Sequence, residues 1–219
     1  MLRTDYIMRM VEQIQKLMAQ IALTRESGDH LATARLLDEA STEHLGLAFT
    51  VVALQPLAQL KLLFTTEDEL DPGKCIAAGE LLVQAAALHL DLEHRAQADA
   101  MRLRSLELFM AGYRVLPQRE RALYALKILD LLAKLPDHAL TDHQLLSLVG
   151  VYEAAGRYDR AEDVLFPLVE DGVDGALALG LRLYDQLLGK RDEDLEQGGL
   201  PRDEVQQSLQ ELRRLEKGP

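Results

Sequence analysis

From Leu145 to Phe166 the chain reads LLSLVGVYEAAGRYDRAEDVLF, with large apolar residues at three- and four-residue steps on both sides of a glycine. Leu145, Leu148 and Tyr152 fall on one helical face. Gly156, within Ala155-Gly156-Arg157, breaks the period, and Tyr158, Ala161 and Leu165 resume it. The spacing predicts a helical hairpin. Two helices joined by a short turn close to ~8–10 Å only where a small side chain faces a large one, so Ala161 is expected opposite Tyr152. Such a hairpin leaves apolar surface on its outer faces and needs neighbours stacked against it. The expected fold class is therefore all-α, a stack of antiparallel helix hairpins.

These residues resemble a tetratricopeptide repeat. Leu145, Leu148, Tyr152, Gly156, Tyr158 and Ala161 occupy the motif's large, Leu, Tyr, Gly, Tyr and Ala positions. Val149 stands at a small position with Gly150 one place late, Leu168 replaces the second small residue of the next helix, and Val173 stands at the closing proline. The resemblance covers one repeat of about 34 residues. It implies an α-solenoid whose inner groove is lined by the first helix of each pair. Side chains off the packing stripe, His143, Leu146, Glu153 and Tyr184, are then the expected partner-binding residues, with burial against an adjacent helix as the alternative for Leu146 and Tyr184. Separately, the opening Asp5-Tyr6-Ile7-Met8-Arg9-Met10-Val11-Glu12-Gln13-Ile14 and the late Gly198-Gly199-Leu200-Pro201-Arg202 are similar to an uncharacterised family of bacterial helical-repeat proteins. That similarity implies no activity.

Composition narrows the class further. Among 219 residues, 48% are hydrophobic, only 5% are aromatic and Trp is absent, which favours packed helix over strand. A single cysteine, Cys75, excludes an intramolecular disulfide and fits a cytoplasmic location. No apolar run approaches the ~18–20 residues of a membrane span, and Arg9, Glu12 and Lys16 interrupt what would be a secretory signal. A net charge of −12 opposes general nucleic-acid binding. Residues 95–134 nevertheless hold eight Lys or Arg against four Asp or Glu, a local +4 in a chain that carries −16 elsewhere.

The first helix is expected from Asp5 to about Arg25, capped by Thr4. Its stripe of Ile7, Met10, Ile14, Leu17 and Ile21, widened by Val11 and Met18, either caps the body or pairs with its own copy. Ile7, Met10, Ile14, Leu17, Met18 and Ile21 are the candidate self-association residues of a homodimer. The acidic Asp5, Glu12 and Glu26 on the polar face argue against a membrane surface. The resulting division is an arm over residues 1–26 and a helical-repeat domain over residues 29–219.

Leu31, Ala34, Leu37 and Ala40 mark the inner side of the second helix. Residues 46–64 read as two short helices bent at Pro56, because an isolated strand has no partner. Asp71-Pro72-Gly73 opens a helix to about Asp91, its partner runs from Glu93 to Val115, and Gln118 to Leu135 forms another with Leu126, Leu129 and Leu132 inward. Thr141 caps the hairpin, and Pro167 is expected to end or kink its second helix near Leu165. Residues 174–188 form the next helix and Gly189 to Gly199 an exposed acidic loop. Pro201 begins a last helix with Val205, Leu209, Leu212 and Leu215 inward.

Few residues suggest chemistry. His89-Leu90-Asp91-Leu92-Glu93-His94 contains two imidazoles, but their five-residue spacing places them on different faces of a continuous helix. His138 and His143 repeat that step beside Asp137 and Asp142. Cys75 lies in a first helical turn, where the dipole favours thiolate, yet no histidine is paired with it in a recognisable motif. Asp192, Asp194 and Glu196 lack the calcium-loop glycine, and Asp71-Pro72-Gly73-Lys74 lacks the earlier glycine of a phosphate loop. No catalytic constellation, metal site or cofactor is expected. The leading expectation is a non-catalytic scaffold that binds a protein, a peptide or its own copy. The alternative is a sensory module holding a small anionic ligand among helices 74–135 through Arg102, Arg104 or Arg121, since guanidinium suits carboxylate and phosphate.

Overall fold

The computed structural model describes residues 2–113, 116, 118–135 and 140–216, with side chains described from residue 9 onward except at 11, 118 and 119. Among the described residues the chain forms twelve helices and one two-stranded ladder. Contacts divide it into two compact units, residues 1–120 with 127–137 and residues 121–126 with 138–219. That division differs from the arm and single body expected above, and the first helix belongs to the first unit.

The first unit contains α1 (Leu2–Glu26), α2 (His30–Leu45), α3 (Phe49–Leu54), α4 (Leu57–Leu63), β1 (Thr65–Thr66), β2 (Glu69–Leu70), α5 (Pro72–Asp91) and α6 (Arg95–Tyr113). It also takes most of α7 (Gln118–Lys134), whose residues 121–126 group with the second unit. Helix α5 is its centre. Asp71 caps it by accepting from the Lys74 N–H at 3.2 Å, Pro72 supplies the first turn, and every residue from Cys75 to Leu82 is buried. Helices α1, α2 and α6 all pack against it.

The α5–α6 pair is close because glycines face each other's helix. A Cβ on Gly79 would stand 2.6 Å from Cδ1 of Phe109, and one on Gly112 would stand 3.0 Å from Cβ of Cys75. Cys75 is fully buried in this contact. Burial, followed by the nearby Asp71 carboxylate, pushes its thiol up to about 12, which overrides the helix-dipole effect expected from its position.

The α1 stripe is covered within the chain. Ile14 and Ile21 are fully buried, Met10 and Met18 nearly so, and Leu17 packs at their edge in the same cluster as α2 and α5 residues. Met10, Ile14, Leu17, Met18 and Ile21, the candidate self-association residues, thus pack within the chain in one cluster with residues of α2 and α5. The Ile7 side chain lies outside the described residues. On α2, Thr33, Leu37, Ala40, Ser41 and Leu45 are buried while Leu31 and Ala34 are exposed, so the inward face is rotated from the expected one.

Residues 49–63 form the two short helices expected on either side of Pro56. A short antiparallel ladder follows them. Glu67 and Asp68 both take positive φ, 52° and 62°, which is the backbone of a tight turn that lets Thr65–Thr66 pair with Glu69–Leu70. On α7 the buried apolar residues are Tyr124, Ala125, Ile128 and Leu131, whereas Leu126 is exposed and Leu129 and Leu132 are half-buried. The α7 stripe therefore follows the aromatic and β-branched residues, one step from the leucine repeat.

The second unit contains α8 (Asp142–Ala154), α9 (Tyr158–Glu170), α10 (Ala176–Leu188), α11 (Asp192–Gln197) and α12 (Arg202–Glu216). Thr141 and Gln144 form a reciprocal cap at the start of α8. Gly156, at φ 69°, ends α8, with Arg157 N–H donating to Tyr152 C=O at 2.9 Å and Gly156 N–H to Glu153 C=O at 3.0 Å. Ala161 is fully buried, and Tyr152 packs at the edge of the same apolar cluster. Helix α9 continues through Pro167 to Glu170, contrary to the expected stop. Leu165 and Leu168 are buried on both sides of the exposed proline, and the packing of that face outweighs the missing N–H.

The stretch 189–199 is not a loop. It contains α11, whose Leu195 is fully buried, and Leu200 follows it into the core. Arg202 organises this joint, donating to Leu188 C=O at 2.9 Å and Lys190 C=O at 2.5 Å while pairing with Asp192. Gly198 C=O accepts from Asp159 N–H at 3.1 Å, tying α11 to the start of α9. On α12, Val205, Leu209 and Leu212 face inward, but Leu215 is exposed.

Candidate functional site

A groove of about 300 Å³ lies within the first unit, bordered by α5, α6 and the later part of α7. Helical spacing builds its floor: Val83, Ala86, Ala87 and Leu90 come from one side of α5, Phe109 from α6 and Leu131 from α7. Small residues at 86 and 87 leave the space that Phe109 and Leu131 border. Arg102, Lys127 and Lys134 supply positive charge along the lining, and Glu80 and Asp130 supply negative charge.

Each cation is braced by a carboxylate. Arg102 Nη1 donates to Asp99 Oδ1 at 3.1 Å, Lys134 Nζ donates to Asp130 Oδ2 at 2.5 Å, and Lys127 Nζ pairs with Glu80 Oε1. The three pairs differ in depth. Side-chain exposure is 39% for Asp99 and 61% for Asp130, but only 5% for Glu80. Water screens the first two pairs, whereas the Glu80 charge lies in the protein interior. The lining thus sets apolar side chains beside paired charges. It offers no nucleophile paired with a base.

Of the three arginines expected to meet an anion, only Arg102 reaches the groove. Arg104 is committed elsewhere: its Nε donates to Val52 C=O at 2.6 Å and its Nη2 to Gln55 C=O, so it caps the end of α3. Burial lowers the proton affinity of that guanidinium. Arg121 is exposed on α7 and does not line the groove. Sequence reasoning missed Lys127 and Lys134 as individuals, although the basic zone of residues 95–134 contained them. Glu80 carried no local signal, since its partner is 47 residues away.

The expected partner-binding residues lie at different depths in the second unit. His143 is exposed and Leu146 half-buried. Glu153 is also half-buried, and burial pushes its carboxyl above the usual range with Lys190 opposing. Tyr184 is fully buried, so the reading of it as a groove residue is corrected to the alternative of burial. Its hydroxyl donates to Glu162 Oε1 at 2.5 Å, which also accepts from Ser208 Oγ at 2.8 Å, so one carboxylate joins α9, α10 and α12. A shallow polar hollow of about 380 Å³ at the α8–α9 turn is lined by Arg157, Tyr158, Lys190 and Asp194. There Lys190 Nζ lies 5.5 Å over the Tyr158 ring, and Asp194 is held by Arg191 in a two-point contact of 2.9 and 2.7 Å.

The His89 and His94 rings are 5.9 Å apart, brought near each other because Glu93 turns the chain at φ 62°. Burial, then His94, lowers the pKa of His89. Among the described residues no group of three or more His, Cys, Asp or Glu side chains has the geometry of a metal site. His138 and Asp137 lie outside the described residues. No helix of the described residues is long and apolar enough to cross a membrane.

A family of unknown function, DUF6483, matches residues 1–217. The chain belongs to that family. The match spans nearly the whole chain and lends no support to a tetratricopeptide repeat. No curated protein and no solved structure matches the chain. What is common to the structure and to the expectation is an all-α chain of helices that pair with sequence neighbours.

Proposed function

We propose that this DUF6483 protein is a non-catalytic helical binding protein whose first unit takes a small organic anion with an apolar part in the α5–α6–α7 groove. The observation that carries this reading is the apolar floor of Val83, Ala86, Ala87, Leu90, Phe109 and Leu131 beside Arg102, Lys127 and Lys134. Three cations on one groove reverse the local sign of a chain with net charge −12. An apolar tail on the floor gains roughly 25 cal/mol for each Å² removed from water. The head group meets cations already oriented by their own carboxylates, which lowers the ordering cost of binding. A volume of about 300 Å³ holds about ten water-sized groups, at the lower end of ligand pockets.

Calorimetric titration of the full chain with decanoate, and with decylamine and acetate as controls, tests this. Decanoate is expected to bind at least about tenfold tighter than decylamine, and acetate not to bind measurably. Equal binding of the amine, or no binding of decanoate, overturns the reading.

A second reading, a scaffold for a protein or peptide partner, is favoured by a different surface. Leu54, Leu62 and Leu63 on α3 and α4 are 76%, 73% and 50% exposed, apolar side chains left in water on two consecutive helices. In that reading the α8–α9 and α10–α12 pairs serve as repeat-like layers, with His143, Leu146 and Glu153 on the partner side.

A further inference from the structure

We propose that Glu80 makes the groove selective for a singly charged head group, so that its ligand class is a medium-chain monocarboxylate and a dianion on the same chain is rejected. This rests on the reading of the groove as an anion site and adds what sets its charge preference. The lining holds Arg102, Lys127 and Lys134 against Glu80 and Asp130, one positive charge in excess. The acids are not equivalent. Asp130 is well exposed, so water screens it and its side chain can rotate away when an anion arrives. Glu80 cannot move aside. It sits on the middle turn of α5, within the run of buried residues, and its carboxylate is tied to Lys127.

An incoming carboxylate that meets Lys127 therefore shares the ammonium with a fixed negative charge behind it. One charge on the ligand is balanced by the excess positive charge of the lining. A second charge within about 6 Å of Glu80, at an effective dielectric of about 20, costs roughly a hundredfold in affinity before Arg102 and Lys134 return part of it. A net preference of about tenfold for the monoanion remains. The apolar floor fixes the other end of the ligand, because a chain of about ten groups fills the groove volume.

The test compares decanoate with octylmalonate, which has the same chain and one further carboxylate, by calorimetry at pH 8 on the full chain and on Glu80→Gln. The native chain is expected to prefer decanoate by about tenfold, and Glu80→Gln to bring the two within about threefold of each other. Asp163→Asn, an exposed carboxylate on α9 in the second unit and outside the groove, is the control and keeps the native preference. If Glu80→Gln does not fold, Glu80→Gln with Lys127→Gln removes the pair without leaving either charge alone, and decanoate is expected to retain no preference over octylmalonate there. A native chain that binds both ligands equally, or a Glu80 variant that keeps the tenfold preference, overturns the assignment to Glu80 while leaving the groove as an anion site. Failure of decanoate to bind the native chain overturns the groove reading itself.

Discussion

Gly79→Ala is expected to destabilise the protein by about 2 kcal/mol and to weaken decanoate binding by at least about tenfold. Alanine is the better helix former by about 1 kcal/mol, so a purely local effect has the opposite sign. The added methyl would stand 2.6 Å from Cδ1 and 3.1 Å from Cζ of Phe109, and in a packed interior the ring must leave its rotamer or α6 must move outward. Either shift alters the groove, because Phe109 is part of its floor. Shortening the ring in Phe109→Leu relieves the conflict. The double variant is therefore expected to be more stable than the sum of the single effects by about 1–2 kcal/mol, measured as a double-mutant cycle in urea. A Gly79→Ala chain that is as stable as its parent and binds decanoate normally contradicts the close α5–α6 contact.

Gly198→Ala is expected to cost about 2–3 kcal/mol, localised to the second unit. Gly198 has an ordinary negative φ of −81°, so the cost is steric and not conformational. Its Cβ would stand 2.6 Å from Cε2 and 2.9 Å from Cγ of Tyr158, a buried ring with Lys190 above it. Moving that ring also breaks the hydrogen bond from Asp159 N–H to Gly198 C=O that joins α9 to α11. Hydrogen exchange should show faster exchange across α11 and the first turn of α9, with decanoate affinity within about twofold of native. Unchanged protection of α11 would show that this joint does not depend on the missing side chain.

The readable parts of the fold were those fixed by neighbours in sequence. Asp71 and Pro72 started α5, Thr141 capped α8, Gly156 closed the hairpin and Pro56 separated α3 from α4, each through contacts within a few residues. What escaped was set by partners far along the chain. The acidic stretch before Gly198 reads as an exposed loop until Arg202 collects the α10 carbonyls and Leu195 finds a core. Tyr184 resembles a groove residue until Glu162 and Ser208 enclose its hydroxyl. Gly198-Gly199-Leu200-Pro201-Arg202 stood out as a distinctive string, and its reason is spatial: Gly198 admits Tyr158, Gly199 turns at φ 77°, Leu200 is buried and Arg202 holds α10.

The groove shows the same limit. A basic zone over residues 95–134 was visible as charge, but only the fold decides which cations share a surface. Arg104 was drawn off to α3, Arg121 stayed outside, and Lys127 was joined to a buried glutamate on another helix. A helical period identifies faces, while the pairing of Glu80 with Lys127 depends on which faces meet.

The most direct measurement is backbone amide chemical-shift mapping of the full chain during titration with decanoate. Saturable shifts are predicted at Val83–Leu90, around Arg102 and Phe109, and from Lys127 to Lys134, with α8–α12 unaffected. Saturable shifts centred on α3–α4 or on the second unit, with the α5–α6–α7 amides unmoved, would contradict a binding groove there.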